Sequence, residues 1–309
     1  MTGAALDQGL LEGRGDATLA DYADAWTHDD ICIRLTGMGA FMRCPSLLNK
    51  IRGAMGQVLL LGASDPVRDR KPCNWSQTCA AEVFFGARPR VRVGDHDSEL
   101  TKPYVLWARA EGSVLVIGIR VFGRARAWSG AVCEAMAIAL RSHVRWDQLA
   151  RDLRHPAPHR IAITDVGRQG VTGIPVDSGG ATTVDLAFAT PVSAARGDPS
   201  IDRDLIWANL ARRLALMAPW HGIAAASIHP ALVSSLDGLQ VEIGEVPAKN
   251  PSRAGKSGYR YLDRSTLPPL LKLSQLNSGG LMALRMGEHT HIGRGAALGL
   301  GRFVLNARP

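Results

Sequence analysis

The chain has 309 residues, of which 46% are hydrophobic and 21% charged, as is ordinary for a globular protein of about two domains. No apolar run approaches the roughly 20 residues that a membrane helix needs. The acidic N-terminus does not fit a signal or transit peptide, and five irregularly spaced cysteines do not indicate a secreted disulfide framework. These features argue against membrane and secreted proteins, and we expect a cytoplasmic protein with no membrane partner.

The charge is unevenly distributed along the chain. The net charge is +8, yet residues 1–30 hold seven acidic residues against Arg14 alone, whereas residues 251–309 hold nine Lys and Arg against two acids. A basic body suits a polyanionic partner such as nucleic acid. A basic protein that is merely soluble is the open alternative.

The first half of the chain has the pattern of one α+β domain. We expect residues 1–30 to be a partly ordered acidic segment. Hydrophobic periodicity and turn residues then predict, in chain order, a strand over 31–36, a helix from Leu47, a short strand over 81–85, a loop over 86–102, strands over 104–108 and 114–122, a helix over 130–143 and a strand over 160–164. This β-α-β-β-α-β order, with one extra short strand, matches a ferredoxin-like or RRM-like unit.

The second half repeats that order. A glycine-rich linker over 167–181 precedes a strand over 182–190, a helix over 202–217, strands over 239–246 and 258–261, a helix over 281–289 and a strand over 301–305. The predicted fold class is therefore α+β, with two tandem ferredoxin-like (RRM-like) domains, 31–166 and 182–309, after the acidic segment.

The last helix and strand are joined by a glycine-rich loop with two arginines. Its residues are Gly293, Arg294, Gly295, Gly299, Gly301 and Arg302. Bare backbone N–H groups and guanidiniums of this kind can press against phosphates. A dinucleotide fingerprint does not fit, because the third glycine is missing and too few residues remain for a βαβ unit. The alternative is a tight helix-to-strand turn that needs glycines.

Residues 291–305 (HIGRGAALGLGRFVL) resemble the C-terminal glycine-rich motif of the CRISPR pre-crRNA-processing endoribonucleases, which belong to the RAMP superfamily of RNA-binding proteins. Residues 45–56, 102–106 with 117–123, and 182–191 resemble further elements of the same family in the same order. The resemblance implies two ferredoxin-like domains and cleavage of the CRISPR repeat transcript without metal or cofactor. It also implies CRISPR repeat RNA and crRNA as partners, together with other CRISPR effector subunits.

The sequence departs from the family pattern in informative places. Many members carry a catalytic histidine near the start of the first helix, whereas residues 40–56 contain none. Only Cys73 and Cys79 remain where many relatives have a cysteine cluster, and two thiols cannot close a zinc site. These departures favour a divergent branch, of which a type IV CRISPR system is one candidate.

The implied reaction is attack of a 2′-hydroxyl on the adjacent phosphorus with expulsion of the 5′-oxygen. It needs proton transfer and positive charge beside the phosphorane. The candidate catalytic residues are Arg43, Lys50 and His291. A solvated basic face is the alternative for the first two, which share a helix face if the helix begins by residue 43, and a packed histidine at the helix C-terminus is the alternative for the third.

The remaining candidates are contacts to RNA. Tyr259 and Arg260 suit base stacking and phosphate binding. The basic loop before them is suited to binding RNA, and an ordinary solvated loop is the equally open alternative. The predicted RNA-binding residues are Arg34, Arg52, Lys249, Arg253, Lys256, Tyr259, Arg260, Gly293, Arg294, Gly295, Gly299, Gly301 and Arg302. His155 and His159 have a ligand-like spacing, but intervening prolines prevent a helix and no cysteine lies nearby, so we predict no metal site.

The predicted function is a metal-independent endoribonuclease that binds the CRISPR repeat hairpin, cuts precursor crRNA and keeps the product bound. The alternative is a non-catalytic RAMP subunit that holds crRNA in an effector complex. A third hypothesis, outside the family, is a general RNA-binding or translation-associated protein.

Overall fold

The structure is a computed structural model that describes residues 2–175, 183–190, 203–237, 239–243, 271–293, 295–298 and 300–307. The helices are α1 (Gly3–Leu11), α2 (Leu19–Ala25), α3 (Leu47–Leu61), α4 (Asp65–Arg68), α5 (Ala80–Phe85), α6 (Ser129–Ile138), α7 (Trp146–Leu153), α8 (Arg203–Met217), α9 (Ala225–Leu236) and α10 (Ser278–Thr290). The strands are β1 (Thr27–Leu35), β2 (Arg90–Val93), β3 (His96–Glu99), β4 (Tyr104–Glu111), β5 (Val114–Phe122), β6 (Ile163–Thr172), β7 (Thr183–Phe188), β8 (Gln240–Ile243), β9 (Leu271–Ser274) and β10 (Phe303–Ala307).

The chain forms two compact units. The first contains the residues up to 10, 27–89 and 102–171, and the second contains 11–26, 90–101 and the residues from 172 onward. Among the helices that the structure describes, none is long and apolar enough to cross a membrane.

The first unit is built on a four-stranded sheet in the order β4-β5-β1-β6. The central pair is antiparallel, with Ile31 opposite Ile119 and Ile33 opposite Ile117. Alternate residues of β1 are buried, and α6 packs against this strand and against α3. Helix α3 presents buried apolar residues one turn apart, at Leu47, Ile51, Met55 and Leu59, and this spacing lines one side of a helix. The strand order is that of a ferredoxin-like domain.

A buried carboxylate ties the start of β1 to α6 within this unit. Asp29 is 1% exposed. It accepts hydrogen bonds from Ser129 Oγ at 2.7 Å, Arg126 Nε at 2.9 Å and Arg168 Nη2 at 2.7 Å. Burial opposes ionisation, but these donors outweigh it and hold the pKa of Asp29 below its ordinary value.

The second unit repeats the architecture with the sheet order β10-β7-β9-β8. All three pairings are antiparallel. Helices α8, α9 and α10 pack together, and the core includes Leu186, Leu273, Leu210 and Trp220. The same strand order in both units confirms the predicted fold class of two tandem ferredoxin-like domains.

The N-terminal 30 residues are more structured than predicted. Instead of a partly ordered acidic segment they form α1, α2 and the start of β1, with Leu6, Tyr22 and Trp26 fully buried. Helix α2 has a capping box, because Thr18 Oγ1 accepts from Asp21 N and the Asp21 carboxylate accepts from Thr18 N. Of the acidic residues in this segment, Asp21 belongs to the helix cap and Asp29 is a buried ion-pair partner.

Other predicted elements also differ from the structure. Residues 80–85 form a helix rather than a strand, and the predicted loop over 86–102 contains the β2–β3 hairpin. Strand β6 runs to Thr172, so the first residues of the predicted linker are part of a strand. The unit boundaries accordingly differ from the predicted domain limits, since two segments from the first third of the chain belong to the second unit.

Candidate RNA-binding and cleavage sites

Two of the predicted RNA-binding arginines are engaged inside the first unit. Arg34 forms an ion pair with Glu111, which also accepts from Arg109 Nε at 2.7 Å. The hydrogen bond from Arg34, with Arg109 nearby, keeps the pKa of Glu111 below its ordinary value. Arg34 as a contact to RNA stays a prediction, and it would require this pair to open.

Arg52 has a packing role in the structure. Its Nε donates to the Tyr104 hydroxyl at 2.9 Å, and its guanidinium lies 5.1 Å from the centre of the Phe85 ring. The hydroxyl bond and the cation–π contact join α3 to β4 and to the end of α5. These contacts account for Arg52 without RNA, so its predicted RNA contact has no support from this geometry.

Arg43 and Lys50, the predicted catalytic pair of this unit, are both exposed. Arg43 ends a 3-10 turn, Gly39–Arg43, and α3 begins only at Leu47. The condition for a shared helix face, a helix that begins by residue 43, is therefore not met. The intervening Pro45 lacks a backbone N–H and does not continue a helix. Lys50 Nζ lies 3.4 Å from Gln148 Oε1 at the start of α7.

A cavity of about 750 Å³ lies in the first unit, beside the connection between β1 and α3. Its lining includes Arg141, Trp146, Asp147, His159, Arg160 and Ala162. The backbone N–H of Thr36 donates to Ala162 O at 3.3 Å, and the Phe41 ring meets Trp146 edge-on at 5.3 Å. The connection between β1 and α3 thus forms part of the cavity's surroundings. We call this space the basic cavity.

Positive charge predominates in the basic cavity. Its carboxylate, Asp147, accepts hydrogen bonds from Arg145 at 3.1 Å and from Arg151 at 3.2 Å. The bond from Arg145 lowers the pKa of Asp147 below its ordinary value. Within the described residues, the side chains of Arg141 and Arg160 make no hydrogen bond or ion pair. Two exposed guanidiniums are therefore available to an anionic ligand.

Sequence reasoning missed the basic cavity. It treated His155 and His159 only as a metal pair, and it gave Arg141 and Arg160 no role. The available signal was the density of Arg and His over residues 141–160. Within the part of the chain that is described, no group of three His, Cys, Asp or Glu side chains is arranged to hold a metal ion.

The glycine-rich loop of the second unit follows α10. His291 is 1% exposed and has a φ of 62°, and its N–H donates to Gly287 O at 2.8 Å. This is the arrangement of the alternative interpretation, a packed histidine at the end of a helix. A buried imidazole does not reach an RNA in this conformation, so the catalytic role of His291 stays a prediction that the structure does not support.

Gly301 brings the two ends of the loop together. Its φ is 65°, and its carbonyl accepts from Ile292 N at 2.9 Å. A Cβ at this position would lie 1.8 Å from Ile292 O. Gly293 and Gly295 also have positive φ values, 81° and 80°. Arg302 is tied through its backbone, since its N–H donates to Thr190 Oγ1 at 2.8 Å. The described ends of the loop therefore approach closely, and this approach requires glycine at position 301.

Arg213 of α8 supports the start of the same loop. Its Nε donates to Thr290 O at 2.7 Å, which places a cation at the C-terminal end of α10. Burial lowers the pKa of Arg213 to about 10, so the group remains charged at neutral pH. The other predicted RNA-binding residues lie outside the described residues: Lys249, Arg253, Lys256, Tyr259, Arg260, Arg294 and Gly299.

Comparison with known protein families gives a match over part of the second half of the chain. Residues 186–303 match the family described as CRISPR-associated endoribonuclease Cas6. No curated protein sequence matches the chain.

Solved structures are similar at low identity. A Cas6 substrate mimic complex is 12% identical over 91% of this chain and 99% of its own, with a TM-score of 0.50. Thermus thermophilus Cas6 is 13% identical over 91% and 99%, with a TM-score of 0.43. A partial Cas6-RT-Cas1–Cas2 complex is 10% identical over 92% and 46%, with a TM-score of 0.47.

The family match spans the second ferredoxin-like domain from β7 to the first residue of β10, including the described part of the glycine-rich loop. The loop is the segment on which the predicted resemblance chiefly rests. The assignment to a type IV system stays a prediction. Over residues 186–303 the chain is similar to the Cas6 endoribonuclease family.

Proposed function

We propose that the protein is a metal-independent endoribonuclease that binds the CRISPR repeat hairpin, cleaves precursor crRNA at the 3′ base of the hairpin and keeps the mature crRNA bound. The observation that carries the proposal is the glycine-rich turn between α10 and β10, inside the region that matches Cas6. Its products would be a 2′,3′-cyclic phosphate, or a 3′-phosphate, and a 5′-hydroxyl.

The first unit supplies exposed cations for this reaction. Arg43 and Lys50 are accessible to solvent, and the Lys50 side chain reaches the start of α7, next to the basic cavity. Cations of this kind bind phosphodiesters and stabilise the charge that develops on the phosphorane. Fixing the attacking oxygen in line with the leaving oxygen contributes a further large part of such a rate.

The partners proposed are CRISPR repeat RNA, its crRNA product and other CRISPR effector subunits. Some similar structures are described as Cas6 product and substrate mimic complexes, and another as a Cas6-RT-Cas1–Cas2 complex. The +8 net charge of this chain supports a polyanionic partner. A cytoplasmic location remains our expectation.

A non-catalytic subunit that holds crRNA is the second candidate. A specific observation favours it, because His291 is buried and residues 40–56 contain no histidine. Such a protein would keep the fold and the RNA grip while lacking a residue that moves the proton.

Incubation of the full chain with its genome's CRISPR repeat RNA in EDTA, followed by a denaturing gel, separates the candidates. We expect one defined cut at the 3′ base of the hairpin. Tight binding of the repeat without cutting supports the holding subunit. Equal affinity for unrelated RNAs contradicts both and supports a general RNA-binding protein.

A further inference from the structure

The lining of the basic cavity includes one imidazole, the exposed side chain of His159. We infer that His159 is a catalytic residue, the general base that takes the proton of the attacking 2′-hydroxyl of an RNA phosphodiester bound in this cavity. The inference rests on the proposed function and assigns a step of it to a residue on the segment between α7 and β6.

The chemistry of the lining singles out this histidine. Arg141 and Arg160 cannot release a proton near neutral pH, since a guanidinium stays charged. The Asp147 carboxylate is bound by Arg145 and Arg151, and the bond from Arg145 lowers its pKa, which weakens it as a base. Imidazole side chains change charge near neutral pH and are the commonest general bases in enzymes.

His159 is exposed on a segment that is fixed at both ends. At one end His155 N donates to Ala150 O at 2.9 Å, and the His155 ring packs on Phe41 at 5.6 Å. At the other end Ala162 O accepts from Thr36 N. Pro156 and Pro158 restrict the backbone between these anchors. A side chain on such a segment is positioned in advance of binding.

The cations complete the site. Arg141 and Arg160 line the same cavity as His159, and neither side chain is engaged by another described residue. They can bind the non-bridging oxygens of the scissile phosphate while the imidazole faces the 2′-hydroxyl. Trp146 forms part of the wall.

The neutral imidazole accepts the proton from the 2′-hydroxyl as the O2′–P bond forms and the P–O5′ bond breaks. The leaving 5′-oxygen takes a proton from water, and the resulting hydroxide takes the proton of the imidazolium. The products are a 2′,3′-cyclic phosphate and a 5′-hydroxyl, with the histidine returned to its neutral form.

The test is single-turnover cleavage of the repeat RNA by the full chain and by the His159→Ala variant. We expect the variant to cut 10²- to 10⁴-fold more slowly, with its affinity for a 2′-deoxy repeat within about threefold of the wild type, as expected of a proton-transfer group. Imidazole added to the buffer should restore part of the lost rate. The matched control is His96→Ala, which removes an exposed histidine of the β2–β3 hairpin and should leave the rate unchanged.

The outcomes distinguish this inference from the proposed function. Equal cleavage rates for the wild type and His159→Ala overturn the role of His159 and leave the endoribonuclease standing. A slow variant with weakened binding and no rescue by imidazole also overturns the base role, because it indicates an RNA contact. Failure of the wild type to cut overturns both proposals.

Discussion

The Gly301→Ala substitution tests whether the second unit depends on glycine at this position for its stability and for the proposed binding of RNA. The added methyl group would lie 1.8 Å from Ile292 O, far inside van der Waals contact. The obstacle is a backbone atom, so relief requires the two ends of the loop to separate. Separation breaks the hydrogen bond from Ile292 N to Gly301 O.

Two contributions make up the expected loss of unfolding free energy in Gly301→Ala. A left-handed φ costs a residue with a Cβ about 1 kcal/mol, and the lost hydrogen bond costs about 1 kcal/mol more. A total of about 2 kcal/mol lowers the melting temperature of a unit of this size by roughly 4–8 °C. Displacement of the loop should also weaken binding of the repeat RNA.

The assays are thermal unfolding followed by circular dichroism and hydrogen exchange at the amide of Ile292. Gly53→Ala is the matched control, because a Cβ at that helical glycine meets no atom within 4 Å, and we expect it to hold or raise stability by about 0.5–1 kcal/mol. Unchanged melting and unchanged RNA affinity in Gly301→Ala would refute the assignment of a glycine-dependent turn.

Two further substitutions test the first unit. Arg52→Ala should lower the unfolding free energy of the first unit by about 2 kcal/mol, because it removes the charge-assisted hydrogen bond to Tyr104. At a temperature where the variant is folded, its RNA affinity should stay within threefold of the wild type. A stable variant with much weaker binding would restore Arg52 as an RNA contact. Asp29→Asn should cost about 3 kcal/mol at pH 7 because it leaves Arg126 and Arg168 without their buried partner. Because the pKa of Asp29 is lowered from its ordinary 3.8 in the folded state, its contribution is present above that pH and is lost as the pH falls through the lower folded-state pKa. Urea unfolding at pH 7 and at about pH 2.5 measures the difference, and a gap between wild type and variant that does not shrink at low pH would contradict this assignment.

Periodicity predicted most of the strands, and it placed the four helices α3, α6, α8 and α10 where the structure has them. Strand β7 and helix α3 have apolar residues at the spacing of one face, and the structure buries that face in the core. Residues 80–85 (AAEVFF) misled the prediction, because valine and phenylalanine favour strands whereas the segment packs as a helix.

Local signals for two missed elements were present in the sequence. Thr18 and Asp21 have the spacing of a helix cap. Gly94-Asp95 is a two-residue turn between alternating segments, and Gly94 has the positive φ that such a turn requires. In both places the density of charged residues led us to predict a partly ordered segment or a loop instead of these elements.

The candidate sites were less predictable than the fold. Burial of His291 and the pairing of Arg34 with Glu111 depend on contacts with residues far away in the chain. The basic cavity forms because the segment after α7 returns to the end of β1. Such closure is a property of the packed chain, and residue spacing alone does not reveal it.

The most direct test of the central claim is cleavage of two repeat RNAs by the full chain in EDTA, one unmodified and one with a single 2′-deoxy nucleotide at the cut. We predict that only the unmodified RNA is cut, leaving a 5′-hydroxyl on one fragment and a cyclic phosphate or 3′-phosphate on the other. Cutting of both RNAs, or cutting that requires added metal, would contradict a metal-independent reaction by 2′-hydroxyl attack.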